Sequence, residues 1–444
     1  MVTSMNRRRF LKQAGNVALA SSMGGAVLSA CGGPSTGQSA GGTSSSSPVT
    51  ITYGWWSNGP FKDNAMKDWV KSFSDKHPNI QVKPEILTWS DYWNKLQTTV
   101  AGGNAWDIVG MAGFMAAQYF DQGALLDLST FSDLSGASKN LLPLSVKMCN
   151  WKGKQMALPV GLYVPLLGYN KALLKKAGVP FPDPVTPMEF ADFKAAAAKL
   201  SIKTGGQYTQ YAININDLDP LWTDLILMEG GQVYDSAINP KTITTNTLEG
   251  IKGLTEWQSL YSENLAVPIG QQANGPFGAG DIDSLLSGKV GFSRLVLADF
   301  IQVQEQNLME QIGVTPLFSI NGKQVTVSNA NSFGVFTGSK HPQEAWEFIK
   351  WATSEGQQVF GQISDLPADN TAANGMLANT KPTEFVKTLL AAEKGFTPSV
   401  MTPNVQFSTD LSNILTDLAN GKLTPEKAAE QMQTKGQADI SAAA

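Results

Sequence analysis

Eleven tryptophans and only two histidines limit what this 444-residue chain can do chemically. His77 and His341 each precede a proline at a helix end, which leaves no His-based metal cluster and no Ser-His-Asp triad. Neither a P-loop nor a dinucleotide-binding glycine pattern occurs, so no cofactor and no metal are expected. Paired carboxylates could still work as acid and base on a glycosidic bond, and 37 acidic residues leave a secreted carbohydrate hydrolase open as a competing class. The tryptophans divide by their setting. Trp69, Trp257, Trp346 and Trp351 fall on apolar helical stripes and read as core. Trp55, Trp56, Trp89, Trp106 and Trp222 stand at strand ends or helix starts, where the clefts of α/β sheets open. A ring placed there can cover the flat apolar face of a small molecule, while Asp, Asn, Gln or Arg satisfies its polar rim. Trp55, Trp56 and Asn58, next to the first strand, lead the candidates, with ordinary packing an equal competitor for either tryptophan. Arg294 follows Gly291-Phe292-Ser293 and could fork onto vicinal hydroxyls or a carboxylate. The alternative for it is a surface ion pair.

The elements that would position these residues follow one rhythm. Val49, Ile51, Tyr53 and Trp55 alternate with Thr50, Thr52 and Gly54, a period-two strand signal. Met66, Trp69, Val70 and Phe73 then take helical spacing, ended by Pro78. A strand over 80–86, a helix near 90–100 and a strand over 106–110 follow. Strand, helix, strand, helix, strand predicts a mostly parallel α/β sheet. Beyond Pro159 the pattern resumes with a strand at 166–169 and helices at 171–177, 187–203, 220–229, 248–263, 281–286 and 299–309. Strands are expected at 290–292, 313–316, 325–327 and 333–336, a strong helix at 342–354, and helices beyond Pro382.

Composition narrows the class. With 42% hydrophobic and 16% charged residues the chain can bury a large core. If Cys31 is consumed by lipid attachment, Cys149 is left alone and no internal disulfide is expected; a buried thiol is its expected state.

The N-terminal residues resemble export signals. Arg7-Arg8-Arg9-Phe10-Leu11-Lys12 is similar to a twin-arginine motif, and Val17–Val27 supplies a short apolar run. Leu28-Ser29-Ala30-Cys31 resembles the lipobox of bacterial lipoproteins. Residues 1–30 are therefore expected to be removed and Cys31 to carry lipid. The formal charge then falls from −4 to −8, because Arg7, Arg8, Arg9 and Lys12 leave with no acid. That sign disfavours nucleic acid and anionic membrane surfaces. Residues 32–48 are rich in Gly, Ser and Thr and read as a tether of about 20–25 Å r.m.s. reach.

Several blocks, in order, resemble the family 1 extracellular solute-binding proteins of ABC transporters, from about Thr50 to Gln433. They are Ile51-Thr52-Tyr53-Gly54-Trp55-Trp56, Trp106-Asp107-Ile108-Val109 with Gly123 to Leu128, Gly153 to Pro159 with Leu167 to Lys171, Lys340 to Phe348, and Gly421 to Ala428. The resemblance implies an α/β, two-lobe periplasmic-binding-protein-like fold of type II with the ligand cleft between lobes. One lobe would be 49–160 plus 312–353, the other 161–311 plus 354–444. It implies a monomeric binding protein, not an enzyme, that captures a sugar outside the cytoplasm and delivers it to an ABC permease. A lipoprotein that senses sugar for a receptor is the further alternative. Cleft positions would then include Phe114 after the third strand, Tyr163 at the lobe crossing and Trp222 at a helix start, with core packing the alternative for Phe114 and Trp222. Asn329, Asn331, Asp365 and Phe407 join them by position. The family's maltose binders carry acids near the first strand, whereas Trp55 to Pro60 has none before Asp63.

Overall fold

A computed structural model describes residues 47–442, apart from 58–59, 216–219, 273–275, 279–280, 362, 364, 380–386, 389–390, 392–394 and 400–404. The export segment, Cys31, the tether up to residue 46 and Asn58 lie outside the described residues. The β-branched run at the start forms strand β1 (Val49–Trp56), followed by helix α1 (Pro60–Lys76), β2 (Ile80–Leu87), α2 (Trp89–Ala101), β3 (Ile108–Ala112) and α3 (Gly113–Asp121). Strand β1 pairs in parallel with β2 from Val49 opposite Ile80 to Trp56 opposite Leu87, and in parallel with β3. Thr88 caps α2 by accepting the Asp91 N–H, and α2 turns Tyr92, Trp93 and Leu96 inward. Helix α3 is not anticipated by the sequence, because its Gly-Phe-Met-Ala-Ala start carries no capping side chain to announce it.

The chain continues through β4 (Leu158–Tyr163), β5 (Leu166–Asn170), α4 (Phe190–Leu200), β6 (Ile202–Thr204) and β7 (Gln207–Asn214). Next come α5 (Leu221–Met228), α6 (Leu248–Ser262), α7 (Asp281–Leu286), β8 (Val290–Leu295), α8 (Leu297–Glu305) and β9 (Ile312–Thr315). The rest is β10 (Thr326–Val335), α9 (Pro342–Ala352), β11 (Leu366–Pro367), β12 (Phe396–Pro398), α10 (Val405–Ala419) and α11 (Pro425–Ala442). Among the described residues the main sheets are two. One has the order β11-β4-β10-β3-β1-β2, with β12 paired to β10; the other runs β9-β5-β8-β7-β6. Each is mixed and not mostly parallel, since β10 runs antiparallel to both β3 and β4, and β5 antiparallel to both β8 and β9.

Glycine sets how closely the first sheet packs. A Cβ on Gly54 would come 2.4 Å from the Trp106 ring, and one on Gly110 would come 2.3 Å from Trp55. Trp106 therefore lies flat over the sheet, stacked on Tyr92 at 5.3 Å, with its indole N–H donated to Glu85 Oε2 at 2.9 Å. Behind the sheet Tyr53, Trp69, Phe333, Phe348 and Phe360 interlock, with Trp69 donating to the Gly356 carbonyl at 2.8 Å. The second core centres on Phe193, which meets Phe318 at 4.3 Å and Phe292 at 5.3 Å.

These cores move the expected lobe limits. Tyr163 still belongs to the first sheet, so the crossing falls at 163–166 instead of 160–161. Residues 312–325 were assigned to the first lobe, yet β9 pairs with β5 and Phe318 fills the second core, so the chain returns only at Thr326. Residues from 354 onward were assigned to the second lobe, yet Phe360 packs on Trp55 and Trp69 and β11 pairs with β4. Among the described residues beyond 354, it is α10 and α11 that rejoin the second core, through Ile414, Leu418, Ala428 and Met432. Helix α8 belongs by sequence to the second lobe, but Leu297, Phe300 and Val303 join the apolar cluster of the first. The strands expected at 325–327 and 333–336 are one, β10, buried along its whole length. Strand β7 was not anticipated, because its polar first half (Gln-Tyr-Thr-Gln) hides the buried stretch from Gln210 to Asn214.

Candidate functional site

A cavity of about 780 Å³ opens between the two sheets, lined by residues of both. On the first sheet's side its wall is built where parallel strands end. Trp56 closes β1, Trp89 starts α2 just after β2, and Phe114 lies in the first turn of α3 just after β3, so all three stand at the carboxyl edge of the sheet. The rings form a connected set: Trp56 meets Trp89 edge-on at 5.4 Å, and Trp89 meets Phe114 at 5.9 Å. Phe114 is 40% exposed, which for a phenylalanine leaves a broad apolar face to be covered. Tyr163, half-buried at the end of β4, adds a phenol at the crossing.

Strand β10 forms the floor. Its period-two geometry turns Val327, Asn329 and Asn331 to the cavity. Asn329 Oδ1 accepts the Gly113 N–H at 3.4 Å, and Asn331 Nδ2 donates to Asp365 Oδ2 at 2.8 Å. Asp365 approaches β4 only because residue 161 is glycine; a Cβ there would lie 2.5 Å from the Asp365 Cβ.

The opposite wall comes from α5, the segment 232–237, β8 and α10. Trp222 and Phe407 line it but are 7% and 1% exposed, so they give the wall its bulk more than its surface. Tyr234 packs edge-on against Phe407 at 5.9 Å, and burial pushes its phenol pKa up, so it stays a neutral hydroxyl. Arg294 reaches the cavity from β8 with its Nη2 3.1 Å from Asp224 Oδ2. The other Asp224 oxygen accepts the Val327 N–H at 2.7 Å, so this carboxylate ties α5 to the floor strand. The pair expected at the surface is instead buried, with side chains 6% and 0% exposed. Asp281 Oδ1 accepts the Ser293 hydroxyl at 2.9 Å beside it.

The structure thus brings Trp56, Phe114, Tyr163, Trp222, Arg294, Asn329, Asn331, Asp365 and Phe407 to one cavity. Trp55 is not on its surface. It is 1% exposed, stacked under Trp56 at 3.9 Å and packed on Phe333 at 5.0 Å, and so takes the packing role. Trp106 is likewise packed away from the cavity. Sequence reasoning left out Tyr234, Asp281 and Ser399, which line the cavity too. Tyr234 lies between α5 and α6 in a stretch with no period to read, whereas Asp281 is an acid in the first turn of α7. Neither histidine approaches the cavity: His77 stacks on Phe73 at 4.3 Å and His341 precedes α9. Cys149 is buried and its thiol is pushed up to about 12 by that burial, which leaves it unreactive.

Comparison with known proteins matches this arrangement to one family. The model for the bacterial extracellular solute-binding protein family matches residues 68–384. The galactooligosaccharide-binding protein of Bacillus subtilis is 23% identical over 428 residues, 94% of either chain. The maltodextrin-binding protein of the same organism is 22% identical over 81% of this chain and 84% of its own. Proteins of Brucella abortus are 24% identical over 284 residues, and the chain spans only 66% of their length. Among solved structures, an ABC substrate-binding protein of Listeria monocytogenes in complex with cycloalternan superposes with a TM-score of 0.77. It is 21% identical, over 89% of this chain and 98% of its own. The GacH receptor of Streptomyces glaucescens, studied unliganded and with acarbose, gives 0.74 at 21% identity, over 88% and 99%. Its two-lobe fold and the family match across most of its length place this chain among the bacterial extracellular solute-binding proteins.

Proposed function

We propose that this protein captures an oligosaccharide outside the cytoplasm and delivers it to the permease of an ABC importer. The carrying observation is the cavity wall: an aromatic cluster on one side, with Phe114 exposed, Trp89 half-buried and Trp56 buried beneath them, and carboxamide, carboxylate and hydroxyl groups beside it. A pyranose presents the matching surfaces, apolar C–H faces and a rim of hydroxyls. The relatives bearing the names of galactooligosaccharide and maltodextrin binders support a sugar of more than one ring. Capture would proceed by closure of the lobes about the segments that join them, with each lobe gaining contacts only in the closed state.

A thermal-shift screen followed by calorimetry tests this reading. Maltotriose, mannotriose or galactotetraose at about 100 times its Kd should stabilise the native protein by about 2.7 kcal/mol. A shift with polyamines and none with any sugar would overturn it, and recovery of cleaved sugar would favour a hydrolase.

Delivery to a permease requires that the protein stay near its membrane, and the Cys31 motif supports lipid attachment there. With residues 32–48 as a leash the body could swivel on an anchor. The Cys31→Ser variant should then move from the membrane fraction to the soluble fraction. Unchanged membrane association would remove the lipid anchor from the account. The Arg7-Arg8 pair supports export by the twin-arginine route.

A further inference from the structure

We infer that residues 232–243 are a latch between the two lobes: rooted in the second, they reach past the cavity to rest on the first, and this contact must part before the lobes can open. The segment is braced within itself. Tyr234 pairs antiparallel with Ile243, and the Asp235 and Thr244 N–H groups donate to the Thr242 and Val233 carbonyls at 3.1 and 3.0 Å. At the turn Asp235 Oδ1 accepts the Lys241 and Thr242 N–H groups at 2.9 and 3.1 Å, while Ser236 Oγ accepts the Ile238 N–H and donates to the Ile238 carbonyl. Asn239 takes the left-handed backbone, at φ 51°, that turns the chain back. The root is fastened to α11 and α10. Gln437 accepts the Ile243 N–H at 3.1 Å and donates to the Lys241 carbonyl at 2.8 Å, and Tyr234 packs on Phe407.

The tip belongs to the other side. Ile238, half-buried, packs against the apolar cluster built round the first sheet, although α5 and α6 on either side of the segment belong to the second core. Lys241 stands near Asp121 at the end of α3. The Asp121 carboxyl is held below its usual range by the Lys152 ammonium and the Trp151 indole N–H that donate to it, and the Lys241 charge pulls the same way. One apolar and one electrostatic contact thus join this segment to the first lobe, and residues 232–237 line the cavity between root and tip. A hinge motion that opens the cavity draws the tip away from α3, so the latch opposes opening and slows release of the ligand.

The test reads release and opening separately. With whichever of maltotriose, mannotriose and galactotetraose binds, stopped-flow tryptophan fluorescence follows koff, since Trp56 and Trp89 line the cavity. Ile238→Ser should raise koff about three- to tenfold, the part of an isoleucine's transfer free energy that a half-buried side chain contributes. Lys241→Glu, a change at an exposed side chain, should raise it about two- to threefold by repulsion from Asp121. That smaller effect should fade at high salt while the Ile238→Ser effect stays. This arm rests on the sugar reading above, whereas a second arm does not. In small-angle scattering without sugar, Ile238→Ser should show a larger radius of gyration than wild type, because the lobes part more readily. An unchanged koff in Ile238→Ser overturns the latch and leaves sugar binding intact. Should that variant fail to fold, an unchanged koff in Lys241→Glu does the same. If none of the three sugars binds, the sugar reading fails, and an equal radius of gyration then overturns the latch on its own.

Discussion

Replacing Asp224 by Ala should cost the protein about 3–5 kcal/mol of stability, because it takes a buried carboxylate partner from a buried guanidinium. Asp224 is fully buried, and its two oxygens serve different elements: one faces Arg294 on β8, the other accepts the Val327 N–H on β10. Removing it also leaves that buried backbone donor unmet, a penalty of the order of 1–3 kcal/mol when nothing replaces the acceptor. Two further variants separate these effects. Asp224→Asn keeps an acceptor for Val327 but loses the charge, so it should fall between wild type and Asp224→Ala. The double variant Asp224→Leu with Arg294→Met removes both charges and should recover much of the loss, since a buried pair often roughly breaks even against apolar residues of similar volume. Urea denaturation with an unchanged m-value reads all three. A loss under about 1 kcal/mol in Asp224→Ala would mean that water reaches the pair and that α5 is not anchored to the floor strand through it.

That same contact shows why the sequence reveals some of this molecule and conceals the rest. Helix α9 was legible because Ala345, Trp346, Phe348, Ile349 and Ala352 fall on one stripe, and all are buried. Strand β1 was legible from alternation, and with it the position of Trp56 at a strand end. Period reports only what an element does to its own neighbours, however. It cannot say which of two sheets a short strand joins, so β9 was assigned to the wrong lobe until its pairing with β5 was seen. Nor can it separate Trp55 from Trp56: the first is sunk between Phe333 and Gly110, and the second faces the cavity, a difference set by residues far away in sequence. The aromatic and polar types of the site were readable in the chain. The Asp224–Arg294 bond was not, because its partners are 70 positions apart and belong to no shared motif.

Trp56→Ala should produce the largest loss of ligand affinity, about 2–4 kcal/mol, which is the range of an aromatic hot spot. That corresponds to about 30- to 1,000-fold in Kd. Trp56 is the ring through which Trp55, Trp89, Tyr92 and Trp93 all meet, so the substitution empties the junction of the aromatic wall. It should also destabilise the fold by about 3–5 kcal/mol, the usual cost of truncating a buried Trp. Affinity must therefore be measured at a temperature where the variant is folded, with native content checked by near-ultraviolet dichroism. Two companions distinguish lost ligand contact from lost packing. Trp56→Phe keeps a ring on Trp55 and should retain most of the stability while binding less tightly. Phe114→Ala removes an exposed ring, so its stability should stay within about 0.5 kcal/mol of wild type while sugar binding weakens. Should Phe114→Ala and Trp56→Phe both bind as wild type does, the aromatic wall is packing alone. The sugar would then have to be held by the β10 floor and the facing wall of α5, β8 and α10.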